Sequence, residues 1–208
     1  PFKKEETTRH SMRGAIYMRC TGNKQEDFVK STKGHLIEYK NGSQRRVNRS
    51  TFIAELQSAC DCQDKGFLLA QLLHESVTGQ MSASIGKELR DNGGYVVPMA
   101  LYIDALSVYA AVTATFVKIP AENGALCHLL YLRELMEHNV LFALIWADTR
   151  DMLADGLTKG AVDREALHQI MNGEVVVTKD MKLWRPKRLT AAMTDDAATG
   201  SSESHRGN

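Results

Sequence analysis

The alternation of apolar and polar positions changes period several times along the chain. Arg13–Cys20 (RGAIYMRC) reads as a strand that stops at the turn-like run Thr21-Gly22-Asn23-Lys24. His35–Tyr39 (HLIEY) reads as a second strand. Asn41-Gly42 is a hairpin signal between it and a third short segment, Gln44–Asn48. The front of the chain is therefore predicted to be an antiparallel meander.

The period then lengthens. Ser50 or Thr51 can cap a helix running to about Glu75. Within it Phe52, Leu56, Ala59, Cys60, Gln63, Phe67, Leu72 and Leu73 fall near helical spacing, so one face should be buried. Gly79, Gly86 and Asp91-Asn92-Gly93-Gly94 suggest a loop or a broken connection. Val96–Ile103 (VVPMALYI) is too short for a helix and rich in β-formers, so it reads as a central strand ending at Asp104. A helical segment to about Phe116 should follow, then a helix opened by Pro120 with Leu126, Leu129, Leu130, Leu132, Leu135 and Met136 inward. Val140–Trp146 (VLFALIW) is the last predicted core strand. Beyond it lie Met152–Lys159 (MLADGLTK) and a final helix over Val162–Met171.

Strand, helix, helix, strand units of this kind imply parallel strands covered by helices. The expected fold is α/β: one mixed sheet, an antiparallel meander followed by parallel strands, with helices on both faces. Residues 1–10 read as the remnant of an upstream segment and 11–175 as the folded domain. Residues 176–208 read as a basic and then low-complexity tail, expected to be disordered from about Thr190.

Composition adds limits. A length of 208 residues suits one domain with a core; 43% hydrophobic and 25% charged residues are ordinary for a globular protein. The net charge of +1 means that any nucleic-acid binding must come from local patches. Cys20, Cys60, Cys62 and Cys127 contain no C-x-x-C pair, and are expected to be free thiols in a reducing compartment. No apolar run approaches the roughly 20 residues of a membrane span, and no signal peptide opens the chain. An intracellular protein of the cytoplasm or nucleus is expected, with no membrane partner. Because residue 1 is proline, the chain is expected to be a fragment or a processed product.

Three acidic residues stand where chemistry would want them. Glu55 lies early in the long helix, Asp104 ends an apolar strand, and Asp155 follows the last strand. Carboxyl ends of parallel strands face the crevice where open α/β sheets bind ligands. Clustered carboxylates repel one another, and divalent cations relieve that conflict while activating water against a phosphodiester. Each residue also has an ordinary alternative. Glu55 could favour the helix dipole, Asp104 could be the next helix's N-cap, and Asp148 or Asp151 could do the work of Asp155.

These residues sit in recognisable company. Arg49-Ser-Thr-Phe-Ile-Ala-Glu55-Leu, Leu101-Tyr-Ile-Asp104-Ala-Leu-Ser107-Val and Met152-Leu-Ala-Asp155-Gly-Leu-Thr-Lys159 together resemble the ribonuclease H domain of copia-type retrotransposon polyproteins. Arg13-Gly14-Ala-Ile-Tyr is similar to that domain's second strand, and His35–Asn48 to its third strand with a basic turn. The resemblance spans about residues 10–165, and the A-D-G-L-T-K box is its most specific part. It implies a ribonuclease H-like fold with a five-stranded mixed sheet, and catalytic, metal-holding roles for Glu55, Asp104 and Asp155. It also implies two Mg²⁺ ions (Mn²⁺ being possible), hydrolysis of the RNA strand of an RNA–DNA hybrid, and a reverse transcriptase domain in the same polyprotein.

Arg45, Arg46 and Arg49, with Gln44 and Asn48, are candidate contacts to nucleic-acid phosphates; a charged edge strand is the equal alternative. Ser107, in the strand-end motif, joins them as a candidate nucleic-acid contact. Lys179, Lys182, Trp184, Arg185, Lys187 and Arg188 interleave bases with an aromatic, a weak hint of nucleic-acid binding, with a solvated tail as the simpler reading. His128, near the family's histidine, reads as a polar helix residue, and Trp146 as core.

The chain departs from the family in three places. No aspartate precedes the Arg-Gly-Ala-Ile-Tyr strand, so the family's first strand and its catalytic aspartate are expected to be missing, and the chain as it stands to be inactive. Ala105 replaces the family's asparagine, and the Gly79–Gly94 connection is longer than the resemblance implies. A degenerate, non-catalytic remnant with the same fold is the alternative. An integrase or transposase core ranks lower, because it closes its acidic set with glutamate rather than aspartate.

Overall fold

The computed structural model describes residues 10–21, 31–44, 48–159 and 165–185. The chain is a mixed α/β protein. Strand β1 (Met12–Cys20) pairs antiparallel with β2 (Ser31–Ser43) from Met12↔Ser43 to Cys20↔Gly34, with one irregularity between Tyr17 and Met18. The expected antiparallel front is present, but Asn41-Gly42 is not a hairpin. Both residues belong to β2, opposite Gly14 and Arg13, and the Asn41 amide donates to the Leu157 carbonyl at 2.7 Å. Long-range pairing thus outweighs a local turn preference.

Helix α1 (Thr51–Thr78) begins where the Ser50 hydroxyl accepts from the Ile53 N–H at 3.3 Å, and it ends at Gly79, with φ +90°. That is a serine start and a glycine stop, as helix-end chemistry requires. The Gly79–Gly94 connection is not a plain loop. It contains α2 (Ala83–Asn92), capped by Ser82 and closed by Gly93. At Gly93 φ is +73°, and a Cβ would meet the Asn139 carbonyl oxygen at 2.2 Å, so glycine is required there.

Strand β3 (Ala100–Ile103), α3 (Leu106–Thr113), α4 (Asn123–Glu137) and β4 (Ala143–Ala147) follow in order. β3 and β4 are parallel, in the register Leu101↔Leu144 and Ile103↔Trp146. A 3₁₀ turn (Thr149–Asp151), α5 (Asp155–Thr158), α6 (Glu165–Met171), β5 (Glu174–Val176) and β6 (Met181–Trp184) complete the described chain. The regular fold therefore continues past residue 175. β6 pairs antiparallel with β4, with Lys182 opposite Trp146.

The single mixed sheet expected from sequence is divided. One three-stranded sheet has the order β1-β2-β5 and is antiparallel; the other has the order β3-β4-β6 and is mixed. Among the described residues β1 pairs only with β2 and β3 only with β4, so no ladder joins the two. Helix α1 packs against β1, β3, α3 and α4. The main core lies under it: Leu56, Val108, Val112, Leu129, Leu132, Met136, Leu141 and Leu144 are all buried. Each such side chain contributes about 1.5–3 kcal/mol by leaving water.

The thiols divide. Cys60 is buried and its pKa is pushed up to about 12 by that burial, with the Asp64 charge adding to it; Cys20 and Cys127 are exposed. No helix among the described residues is long and apolar enough to cross a membrane.

Candidate active site

Glu55 sits in the second turn of α1 and is half-buried. Burial raises its pKa, and the negative charges of Asp104 and Asp155 raise it further. Asp104 follows directly on β3. It is not the cap of α3, whose N-cap is Ala105 with no side-chain hydrogen bond. The carboxylate of Asp104 is therefore spared from capping, and its backbone carbonyl accepts from Trp146 Nε1 at 2.9 Å. Trp146 is only partly buried, so it is less a core residue than a brace beside Asp104.

Asp155 opens α5 and is 2% exposed. Its Oδ2 accepts from Lys159 Nζ at 2.5 Å, while Oδ1 is buried with no hydrogen-bond partner among the described residues. Burial raises the pKa of this carboxyl, the Lys159 hydrogen bond opposes the rise, and the Asp104 charge adds to it. The charge of Asp104, at a strand end, thus reaches both Glu55 on the long helix and Asp155 on the short one.

The sequence left Asp148 and Asp151 as substitutes for Asp155, and both are otherwise engaged. Arg150 grips Asp148 through Nε at 2.9 Å and NH2 at 2.8 Å, holding that carboxyl well below the usual range. Asp151 accepts from the Thr178 N–H at 3.0 Å, the Thr178 hydroxyl at 2.9 Å and the Lys179 N–H at 2.6 Å. It ties the turn before β6 to the end of β4.

α5 also lies hard against β1. A Cβ at Gly14 would come within 2.8 Å of the Ala154 carbonyl oxygen and 2.9 Å of Thr158 Cγ2. This close approach sets the height of Asp155 over the first sheet.

The candidate nucleic-acid contacts fare differently. Arg49 is exposed just before α1, and Ser107 is exposed in the first turn of α3. Arg45 and Arg46 lie outside the described residues. Gln44 and Asn48 are buried rather than offered to a phosphate: Gln44 Nε2 donates to the Ala54 carbonyl and to Ser58 Oγ, each at 2.7 Å, and its Oε1 accepts from Asn48 Nδ2. They fix the start of α1 because a buried amide must be satisfied from within. His128 lies on α4, where its carbonyl accepts from Cys60 Sγ at 3.6 Å.

The donor chemistry suits a hard divalent cation: oxygen donors only, one of them a buried orphan. Even so, among the described residues no group of three or more His, Cys, Asp or Glu side chains is arranged to hold a metal ion. The three carboxylates share a neighbourhood without forming a ligand set. No family model, curated protein or solved structure matches the chain.

Proposed function

We propose that the chain is a ribonuclease H-like domain from a copia-type retrotransposon polyprotein, acting on RNA–DNA hybrid when complete. The observation that carries this reading is that the charges of Asp104 and Asp155, on separate elements, both bear on the half-buried Glu55 carboxyl. The sheet division supports it. β1 and β3 both lie against α1. A strand laid between them would merge the two sheets in the order β5, β2, β1, added strand, β3, β4, β6, with β5 and β6 at the outer edges. Its central five strands match in number the five-stranded mixed sheet that the family resemblance implies, and β5 and β6 are additions to it.

In this reading Asp155 Oδ1, Glu55 and Asp104 would hold the divalent cations, together with an aspartate supplied on the added strand. Bound cations would offset the carboxylate repulsion and polarise the phosphodiester. The chain's own residues do the rest. Lys159 holds Asp155 in place, and Trp146 fixes the backbone at Asp104.

A second reading, a non-catalytic remnant of the same fold, draws on the Lys159 ammonium already seated on Asp155 and on there being no metal-holding group among the described residues. The test is cleavage of a strand-labelled RNA–DNA hybrid in Mg²⁺. It compares the chain, the chain extended by the reading frame preceding Pro1, and the extended chain carrying D104N or D155N. RNA-strand cleavage by the extended chain alone, abolished by either substitution, supports the nuclease. A folded extended chain that leaves the hybrid intact supports the remnant.

A further inference from the structure

We propose that β6 and the turn before it form a binding rim for the phosphodiester backbone of a nucleic-acid strand, with Lys182 and Lys179 as its cations and Trp146 as its floor. The inference rests on the nuclease-derived reading above, and goes beyond it by giving the substrate strand a specific path. The register of β6 on β4 puts Lys182 opposite Trp146, and the Lys182 ammonium stands 5.2 Å from the centre of the indole ring. The same indole donates to the Asp104 carbonyl. Trp146 therefore touches the Asp104 backbone and carries the Lys182 ammonium of the neighbouring strand β6.

The turn is held for this purpose by Asp151, whose three accepted hydrogen bonds fix Thr178 and Lys179. Lys182 is exposed, and among the described residues neither it nor Lys179 enters a salt bridge. Of the nearby acids, Asp148 is paired with Arg150, Asp151 is occupied by the turn, and Asp180 is exposed on the turn itself. Three carboxylates at the mouth of a site repel a phosphate chain. Cations beside them restore attraction, and the Trp146 ring under Lys182 steadies that ammonium at the edge of the sheet. A protein partner would require apolar area that this edge offers only at Leu183.

The test is fluorescence anisotropy of a labelled RNA–DNA hybrid in EDTA, which removes cleavage from the measurement, over about 50–200 mM KCl. The variants are K179Q/K182Q, D151N to free the turn, and K87Q on α2 as a control that removes a single exposed lysine away from the rim. The double variant is expected to bind about tenfold more weakly, with a log–log salt slope shallower by about 2. D151N should lose part of the affinity, and K87Q none. Wild-type binding with an unchanged slope in the double variant would overturn the rim and leave the nuclease reading standing. No hybrid binding by the wild type would overturn the rim as well, while the nuclease reading stands or falls with cleavage by the extended chain. Equal competition by polyglutamate would reduce the rim to an unselective basic edge and overturn it.

Discussion

Lys159 closes on Asp155 twice, through its backbone N–H to the Asp155 carbonyl at 2.9 Å and through its ammonium to Oδ2 at 2.5 Å. The first bond ends α5; the second places a cation on a carboxylate that is 3% exposed, while Lys159 itself is one-third exposed. The ammonium both neutralises Asp155 and occupies one of its two oxygens. K159M should leave the buried carboxylate without its partner and cost about 1–3 kcal/mol in urea denaturation at neutral pH. The double variant D155N/K159M should recover part of that loss, because the buried charge goes with its partner. Equal stability of K159M and wild type would mean that solvent, not Lys159, satisfies Asp155.

The raised pKa values of Glu55 and Asp155 set a pH dependence. Their ordinary values are 4.5 and 3.8, and burial lifts both. The folded state therefore holds these protons more tightly than the unfolded chain, so stability falls as pH rises where unfolded groups have ionised and folded ones have not. The contribution is complete below about pH 4 and is lost upward from there, through the raised folded values. E55Q and D155N should each flatten the slope of unfolding free energy against pH. A slope unchanged in both would remove these two groups as its source.

How much of this could be read in advance depended on period. The helix expected to run to about Glu75 and the strands expected at Val96–Ile103 and Val140–Trp146 carry long or dense apolar patterns, and the structure places a helix at Thr51–Thr78 and shorter strands at Ala100–Ile103 and Ala143–Ala147. The acidic positions on them were legible for the same reason. β5 and β6 were not, since three or four residues carry no measurable period and β6 is held in place by Asp151 from a distant turn. Gln44 and Asn48 misled in the opposite sense: polar residues next to arginines look like surface, yet both are buried to anchor α1. Asn41-Gly42 failed because a turn propensity of under about 1 kcal/mol yields to a full ladder.

Gln44 offers a third prediction. Its amide satisfies the Ala54 carbonyl, Ser58 Oγ and Asn48 together. Q44L keeps the approximate volume and strands those partners, so a loss of about 1–3 kcal/mol is expected by chemical denaturation. Hydrogen exchange should locate the added opening at the first turns of α1. Exchange that rises evenly over the whole chain would contradict the local role.

Glycine positions give a contrast within one experiment. G93A forces a side chain into a backbone region nearly closed to it and against the Asn139 carbonyl. Strain alone should cost about 1–3 kcal/mol. At Gly42, on β2, a Cβ meets nothing within 4 Å, so G42A should be neutral or slightly stabilising. Thermal denaturation of the two variants reads the difference directly, and similar midpoints would refute the close packing of α2 on the α4–β4 turn.

The contact of Gly14 with Ala154 has a consequence for how this protein can vary. Where α5 meets β1 the strand offers no side chain at residue 14, and it faces the Ala154 carbonyl and the Thr158 methyl directly. The segment bearing Asp155 consequently inherits its elevation from the strand beneath it. Its outward positions are open to change while that carboxylate stays where it is, whereas one methyl group at residue 14 would lift the whole segment off its seat.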